Sequence, residues 1–138
     1  MRLISTNICK TSDIGVNNNL FGGRMLSWLD EVAGTLAAEE ACHQNMVTLK
    51  MDEVLFKKAV KVNDHIRIYG KVISVGRSSV GLYLEARRFD FGSRNEELVC
   101  STKMTFVKVD HQGRSIPIHP DVREQLVIKI KNQKSTGR

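Results

Sequence analysis

Between residues 22 and 43, apolar side chains recur three and four positions apart. Met25, Leu26, Leu29, Val32, Ala33, Leu36 and Ala37 fall on one face of a helix, the longest helical signal in the chain. Ala33, Gly34, Ala37 and Ala38 make part of it narrow, so it can lie close to a sheet. After the helix the period changes to two, as in half-buried strands. Val47, Leu49 and Met51 alternate within 46–54, and Ile66, Ile68, Val72 and Ile73 mark 65–75. Val80, Leu82 and Leu84 alternate within 79–91, while Val99, Thr102, Thr105, Phe106, Val107 and Val109 make 98–109 β-rich. Residues 2–9 predict a first strand, and 11–19 read as a loop from their Gly, Asn and Asp content.

Turn signals separate the later strands at Asn63 and Asp64, Gly76, Gly92 and Ser93, and residues 111–113. Connections this short exclude parallel crossovers, so those strands pair antiparallel. Pro117 and Pro120 end the sheet region, and 121–131 predicts a short terminal helix. The order β-α-β-β-β-β predicts an α+β fold with one long helix against one face of an antiparallel sheet. The expected division is a domain over 1–120 and a short helix with a basic tail over 121–138.

Composition narrows the function classes. A chain of 138 residues with 41% hydrophobic positions suits one globular unit. Lys and Arg total 21 against 15 Asp and Glu, a net charge of +6 that favours anionic partners. Lys129, Lys131, Lys134 and Arg138 supply part of this as a solvated basic end. Aromatic residues make up only 6%, which argues against base stacking, so no nucleic-acid partner is expected. Cys9, Cys42 and Cys100 have no metal-ligand spacing, and an odd count argues against a disulfide framework. A reducing, cytoplasmic location is expected. The first apolar run is too short for a signal peptide, and no segment has the length of a membrane span. His43, His65, His111 and His119 share no metal spacing, so no metal is expected.

Three features offer chemistry. Asp30 lies four residues after Leu26 and three before Ala33, on or beside the apolar stripe. It is either an ion-pair partner at the stripe's edge or an acid kept for a task, since unpaired buried carboxylates are costly. Residues 17–23, NNNLFGG, place two glycines at a helix start. The first helical N–H groups lack intrahelical acceptors and suit an anion or a polarised carbonyl oxygen. An ordinary Asn-capped turn is the plainer reading. Residues 75–79, VGRSS, join two strands with a glycine, an arginine and two hydroxyls, which suits either a phosphate cradle or a plain hairpin turn.

In order, the runs SDIGVNNNLFGGRMLSWLDEVAGTLAA, VTLKMDEVLFKKAVKVND, GKVISVGRSSVGLYLEA and STKMTFVKVDHQGRSIPIHP resemble the hot-dog-fold acyl-CoA thioesterases. The resembling branch is that of broad-specificity bacterial and brain-type acyl-CoA hydrolases, over roughly residues 7–120. The resemblance implies a hot-dog fold, one long helix wrapped by a curved antiparallel sheet of five to six strands. It implies an acyl-CoA substrate, no separate cofactor, a homodimer with joined sheets as the minimal active unit, and three dimers in a hexamer. It implies Asp30 as general base or nucleophile and Asn17 as a residue placing the thioester or water. Gly22 and Gly23 would polarise the carbonyl, and Gly76, Arg77, Ser78 and Ser79 would contact coenzyme A. The chain departs from the family pattern at Gly15, Asn18, Ala59 and Asn63, where Asn, Gly, Pro and Gly are usual.

Thioester hydrolysis needs an activated water or nucleophile and a donor for the developing oxyanion. Seven residues of helix separate Gly23 from Asp30, about 10 Å at 1.5 Å per residue. One carboxylate cannot reach a carbonyl held at the start of its own helix. A composite site is therefore expected, with Asp30 of one subunit facing the 17–23 loop of the other. Three other readings are a hot-dog dehydratase or hydratase, which needs a His or an Asp–His pair in the helix region, a non-catalytic acyl-CoA-binding or sensor module, and a nucleic-acid binder.

Overall fold

The computed structural model describes residues 1–136, so Arg138 lies outside the described residues. Five strands and two helices follow in the order β1 (Arg2–Ile8), α1 (Gly22–Ala41), β2 (Met46–Phe56), β3 (His65–Val75), β4 (Ser79–Asp90), β5 (Asn95–Lys108) and α2 (Pro120–Thr136). All the strands pair antiparallel in one sheet of order β1-β3-β4-β5-β2, which leaves β1 and β2 as its edges. This is the α+β arrangement read from the sequence.

The period-two pattern fixes which face meets the helix. On β3, Ile66, Ile68 and Val72 are buried while Arg67, Tyr69 and Lys71 alternate with them. Leu29 and Leu36 of α1 pack into the same core as Ile66, Ile68, Leu82, Leu84 and Phe106. Burying each such side chain contributes about 1.5–3 kcal/mol. Every ladder carries a register shift, the feature that bends strands, and α1 touches all five strands. The sheet thus wraps its helix.

A glycine of the sheet also lets the helix approach closely. A side chain on Gly34 would stand 3.8 Å from Phe106, an ordinary contact. A Cβ on Gly70 of β3 would stand 2.9 Å from both Leu36 and Ile4, so the missing side chain there lets α1 settle. The helix ends at Ala41 rather than His43 because Cys42 turns left-handed (φ 52°), and the amides of Cys42 and His43 fold back onto Glu39 and Ala38 carbonyls.

Two sequence expectations change. On β2, register shifts after Thr48 and Asp52 break the alternation. Met46, Met51 and Val54 pack against the core, while Val47 and Leu49 face outward, 46% and 63% exposed. The terminal helix is 17 residues long, beyond the 121–131 expected. Leu126 and Ile130 bury against the core, and Lys129 binds Glu40 of α1, so this part of the basic end is a docked helix. Among the described residues, no helix is long and apolar enough to cross a membrane.

Candidate active site

The loop before α1 is drawn onto the helix by a residue that composition does not single out. Asp13 is buried, accepts the Lys10 amide at 2.9 Å and pairs with Arg24 Nε at 3.2 Å. Its carbonyl accepts the Phe21 amide. Between these anchors the chain reverses tightly, with the Gly15 amide on the Asn19 carbonyl at 2.8 Å. Asn17 and Asn18 take left-handed backbone (φ 61° and 58°), a region asparagine tolerates better than most residues. Both are exposed.

Phe21 immediately precedes α1 and lies against two glycines. A Cβ on Gly23 would come within 2.8 Å of its ring, and one on Gly15 within 3.2 Å. Gly22 and Gly23 open the helix, so their amides have no acceptor within it. Beside Gly22 runs a groove of about 260 Å³, lined by Met25, Phe56, Lys57, Lys58 and Val99 among others. Asp30, Asn17 and Gly23 do not line it. Trp28 and Phe106 are buried in the core, whereas Phe56 is 57% exposed and lines this groove.

Asp30 does not sit in the buried stripe. Trp28, Leu29, Val32 and Ala33 take the inward positions, and Asp30, rotated about 100° from Leu29, is exposed on the side facing β2. There Thr48 Oγ donates a 2.7 Å hydrogen bond to Asp30 Oδ1. Among the described residues Asp30 forms no ion pair, so the ion-pair reading is not realised. Thr48 was not foreseen, because a single outward threonine on a strand carries no signal.

The Gly76–Ser79 turn is held from three directions. The Gly76 amide meets the Ser79 carbonyl at 2.8 Å, Lys108 donates to the Ser78 carbonyl, and Ile118 donates to the Arg77 carbonyl. Arg123 of α2 adds a bond from Nε to the Gly76 carbonyl at 3.0 Å. A Cβ on Gly76 would approach Ser79 Oγ to 2.7 Å, so a larger residue there would turn that hydroxyl aside. Arg77 is exposed.

The ladder places these parts at two ends of the sheet. Thr48 pairs with Phe106, which pairs with Val80, next to Ser79. Asp30 and the Gly76–Ser79 turn therefore share one end. Phe56, packed near Gly22, pairs with Cys100, which pairs with Ala86, so the helix start lies toward the other end. Within one chain the acid and the helix amides do not meet.

Known proteins share this architecture. The family model described as the thioesterase superfamily matches residues 17–90. An acyl-CoA thioester hydrolase of Haemophilus influenzae is 32% identical over 127 residues, spanning 90% of this chain and 82% of the relative. The acyl-CoA thioester hydrolase YkhA of Bacillus subtilis is 28% identical over 130 residues, spanning 92% and 75%. Among solved structures, an aspartate-to-alanine mutant of HI0827, a hexameric broad-specificity acyl-coenzyme A thioesterase, superposes with a TM-score of 0.87 at 29% identity, over 96% of this chain and 99% of that one. Cj0915 of Campylobacter jejuni, a hexameric hotdog-fold thioesterase, gives 0.76 at 28% identity, over 92% and 97%. With its long helix wrapped by a five-stranded antiparallel sheet, this chain belongs to the thioesterase superfamily and has the hot-dog fold.

Proposed function

We propose that this chain hydrolyses acyl-CoA thioesters to a free acid and coenzyme A, in sites shared between the two chains of a homodimer. The observation that carries this reading is the split just described. Asp30 and the phosphate-suited turn lie at one end of the sheet, and the helix amides lie at the other. Between them β2 presents a free edge with Val47, Leu49, Leu55 and Phe56 exposed. An unpaired apolar edge favours strand addition, and a second copy supplies a matching strand.

An isologous pairing of β2 with itself is antiparallel about a two-fold axis near the strand's middle. It brings the Thr48 end of one strand toward the Phe56 end of the other. Asp30 then faces the partner's Gly22 and Gly23 amides, as the helix rise requires. The relatives named acyl-CoA thioester hydrolases and the hexameric neighbours support this reading, with three dimers as the full assembly.

In this arrangement the thioester carbonyl oxygen points at the partner's Gly22 and Gly23 amides, which carry the positive end of the helix dipole. Asn17 in the same loop helps to place the thioester or water. Asp30, oriented by Thr48, either takes a proton from water as that water attacks the carbonyl carbon, or attacks the carbon itself. The first route gives acid and thiolate after the C–S bond breaks. The second gives an anhydride that water then opens. Arg77 and the Gly76–Ser79 turn hold the nucleotide end. The chemistry needs only the chain, water and the thioester. The free thiols Cys9, Cys42 and Cys100 suit a reducing compartment such as the cytoplasm.

The test is turnover across acyl-CoA chain lengths, followed by trapping the released thiol, with Asp30→Asn as control. Release by the wild type and its near loss in the variant support the reading. Acyl-CoA binding without turnover would instead make the chain a binding module.

A further inference from the structure

Most arginines of this chain are neutralised by carboxylates. Among the described residues, Arg2, Arg24, Arg67, Arg87, Arg88 and Arg114 each form an ion pair, whereas Arg77, Arg94 and Arg123 form none. Two of those three line one cavity of about 520 Å³. Arg77 comes from the β3–β4 turn and Arg123 from the first turn of α2, with Pro117, Ile118 and Val127 as apolar walls. Glu124 also lines it, without a salt bridge to either arginine.

Arg123 is held in place. Its amide donates to the His119 carbonyl at 2.9 Å, and its Nε donates to the Gly76 carbonyl at 3.0 Å. That second bond spends one nitrogen on the backbone of the turn and leaves the two terminal nitrogens of a planar fork. Such a fork matches two oxygens of a phosphate. Two guanidinium groups sharing a cavity repel each other, and a bound anion relieves that cost.

We propose that Arg123 is a second phosphate-binding cation, acting with Arg77 on the nucleotide end of coenzyme A. The proposal rests on the acyl-CoA reading above. It makes α2 part of the substrate site, so the helix both completes the core and grips the ligand.

The experiment compares kcat and KM for one acyl-CoA and for the same acyl group on pantetheine, which lacks the nucleotide. Arg123→Ala is expected to raise KM for acyl-CoA about tenfold with kcat within about twofold, because ground and transition states share the contact. KM for acyl-pantetheine is expected to stay as in the wild type. Arg123→Lys, which keeps the charge and loses the fork, is expected to fall between, and Glu124→Gln is expected to lower KM for acyl-CoA. These two variants carry the test if thermal melting shows that Arg123→Ala does not fold. An unchanged KM for acyl-CoA overturns the proposal, as does an equal rise for both substrates, which would mark a purely structural role.

A wild type that turns over no acyl-CoA sinks the hydrolase reading instead. Calorimetry with adenosine 3′,5′-bisphosphate then decides the present point. Weaker binding to Arg123→Ala than to wild type supports it, and equal binding, or none to the wild type, overturns it.

Discussion

Glu96 accepts hydrogen bonds from Tyr69 at 2.5 Å, from Arg87 at 3.1 Å and from Arg67 at 3.3 Å, whereas Asp30 accepts one, from Thr48 at 2.7 Å. The Glu96 donors alternate with buried Ile66, Ile68 and Ala86, so this network covers the sheet face turned away from α1. Arg87 also binds Glu85 and lies 4.1 Å over the Tyr69 ring, and Arg67 lies 3.9 Å over Phe89. Burial pushes the Glu96 carboxyl up, but the tyrosine and the two arginines together outweigh it and hold the group below the usual carboxylate range. A carboxylate so enclosed has its lone pairs committed and acts as a strut. Asp30, bonded among the described residues by one neutral hydroxyl and no cation, stands beside the edge strand β2 with lone pairs uncommitted. The difference between the two sites lies in how many donors the neighbouring strands supply.

Substitutions should separate strut from reagent. Asp30→Asn is expected to cut kcat by about 10²–10⁴, the range for losing a general base, with a melting temperature close to wild type. Glu96→Gln is expected to do the reverse, leaving kcat within about twofold and costing about 1–2 kcal/mol in urea unfolding, as befits charge-assisted bonds near the surface. The pH dependence has a definite sign. Folding holds Glu96 below its unfolded value, so its contribution is complete above the ordinary carboxylate range and is lost as pH falls from there through the lowered folded value. The wild type should therefore lose stability on acidification more steeply than Glu96→Gln. Thr48→Val is expected to lower kcat about tenfold at constant KM, equivalent to about 1.5 kcal/mol, the lower end for a hydrogen bond to a charged group.

Periodicity made the architecture legible. The spacings of Leu29, Leu36 and Val32 placed α1, and β3 runs over the same residues, His65–Val75, that its alternation marks. Periodicity failed where a local pattern meets a distant constraint. Val47 and Leu49 alternate like core residues, but they lie exposed on the edge strand β2, just before and within its first register shift. The length of α2 is hidden because few of its side chains, Val122, Leu126 and Ile130, meet the core while lysines fill outer positions. In the site, Asp30 and the two glycine turns were readable as misplaced chemistry on a regular element. Asp13, Thr48 and Arg123 were not. Each makes a contact to a residue remote along the chain or across a turn: Arg24, Asp30 and Gly76.

The central claim is that Asp30 of one chain works on a thioester held at the helix start of the other. Co-expressing Asp30→Ala chains with Gly23→Val chains tests it directly, since the valine would displace the Phe21 ring and crowd the helix amides. Each variant should be inactive alone, and melting curves should show both folded. Random pairing makes half of the dimers mixed, and each mixed dimer holds one intact site of two, so about a quarter of wild-type turnover should return. Mixed dimers, shown by differential tags to have formed, that regain no activity would contradict a site shared between chains.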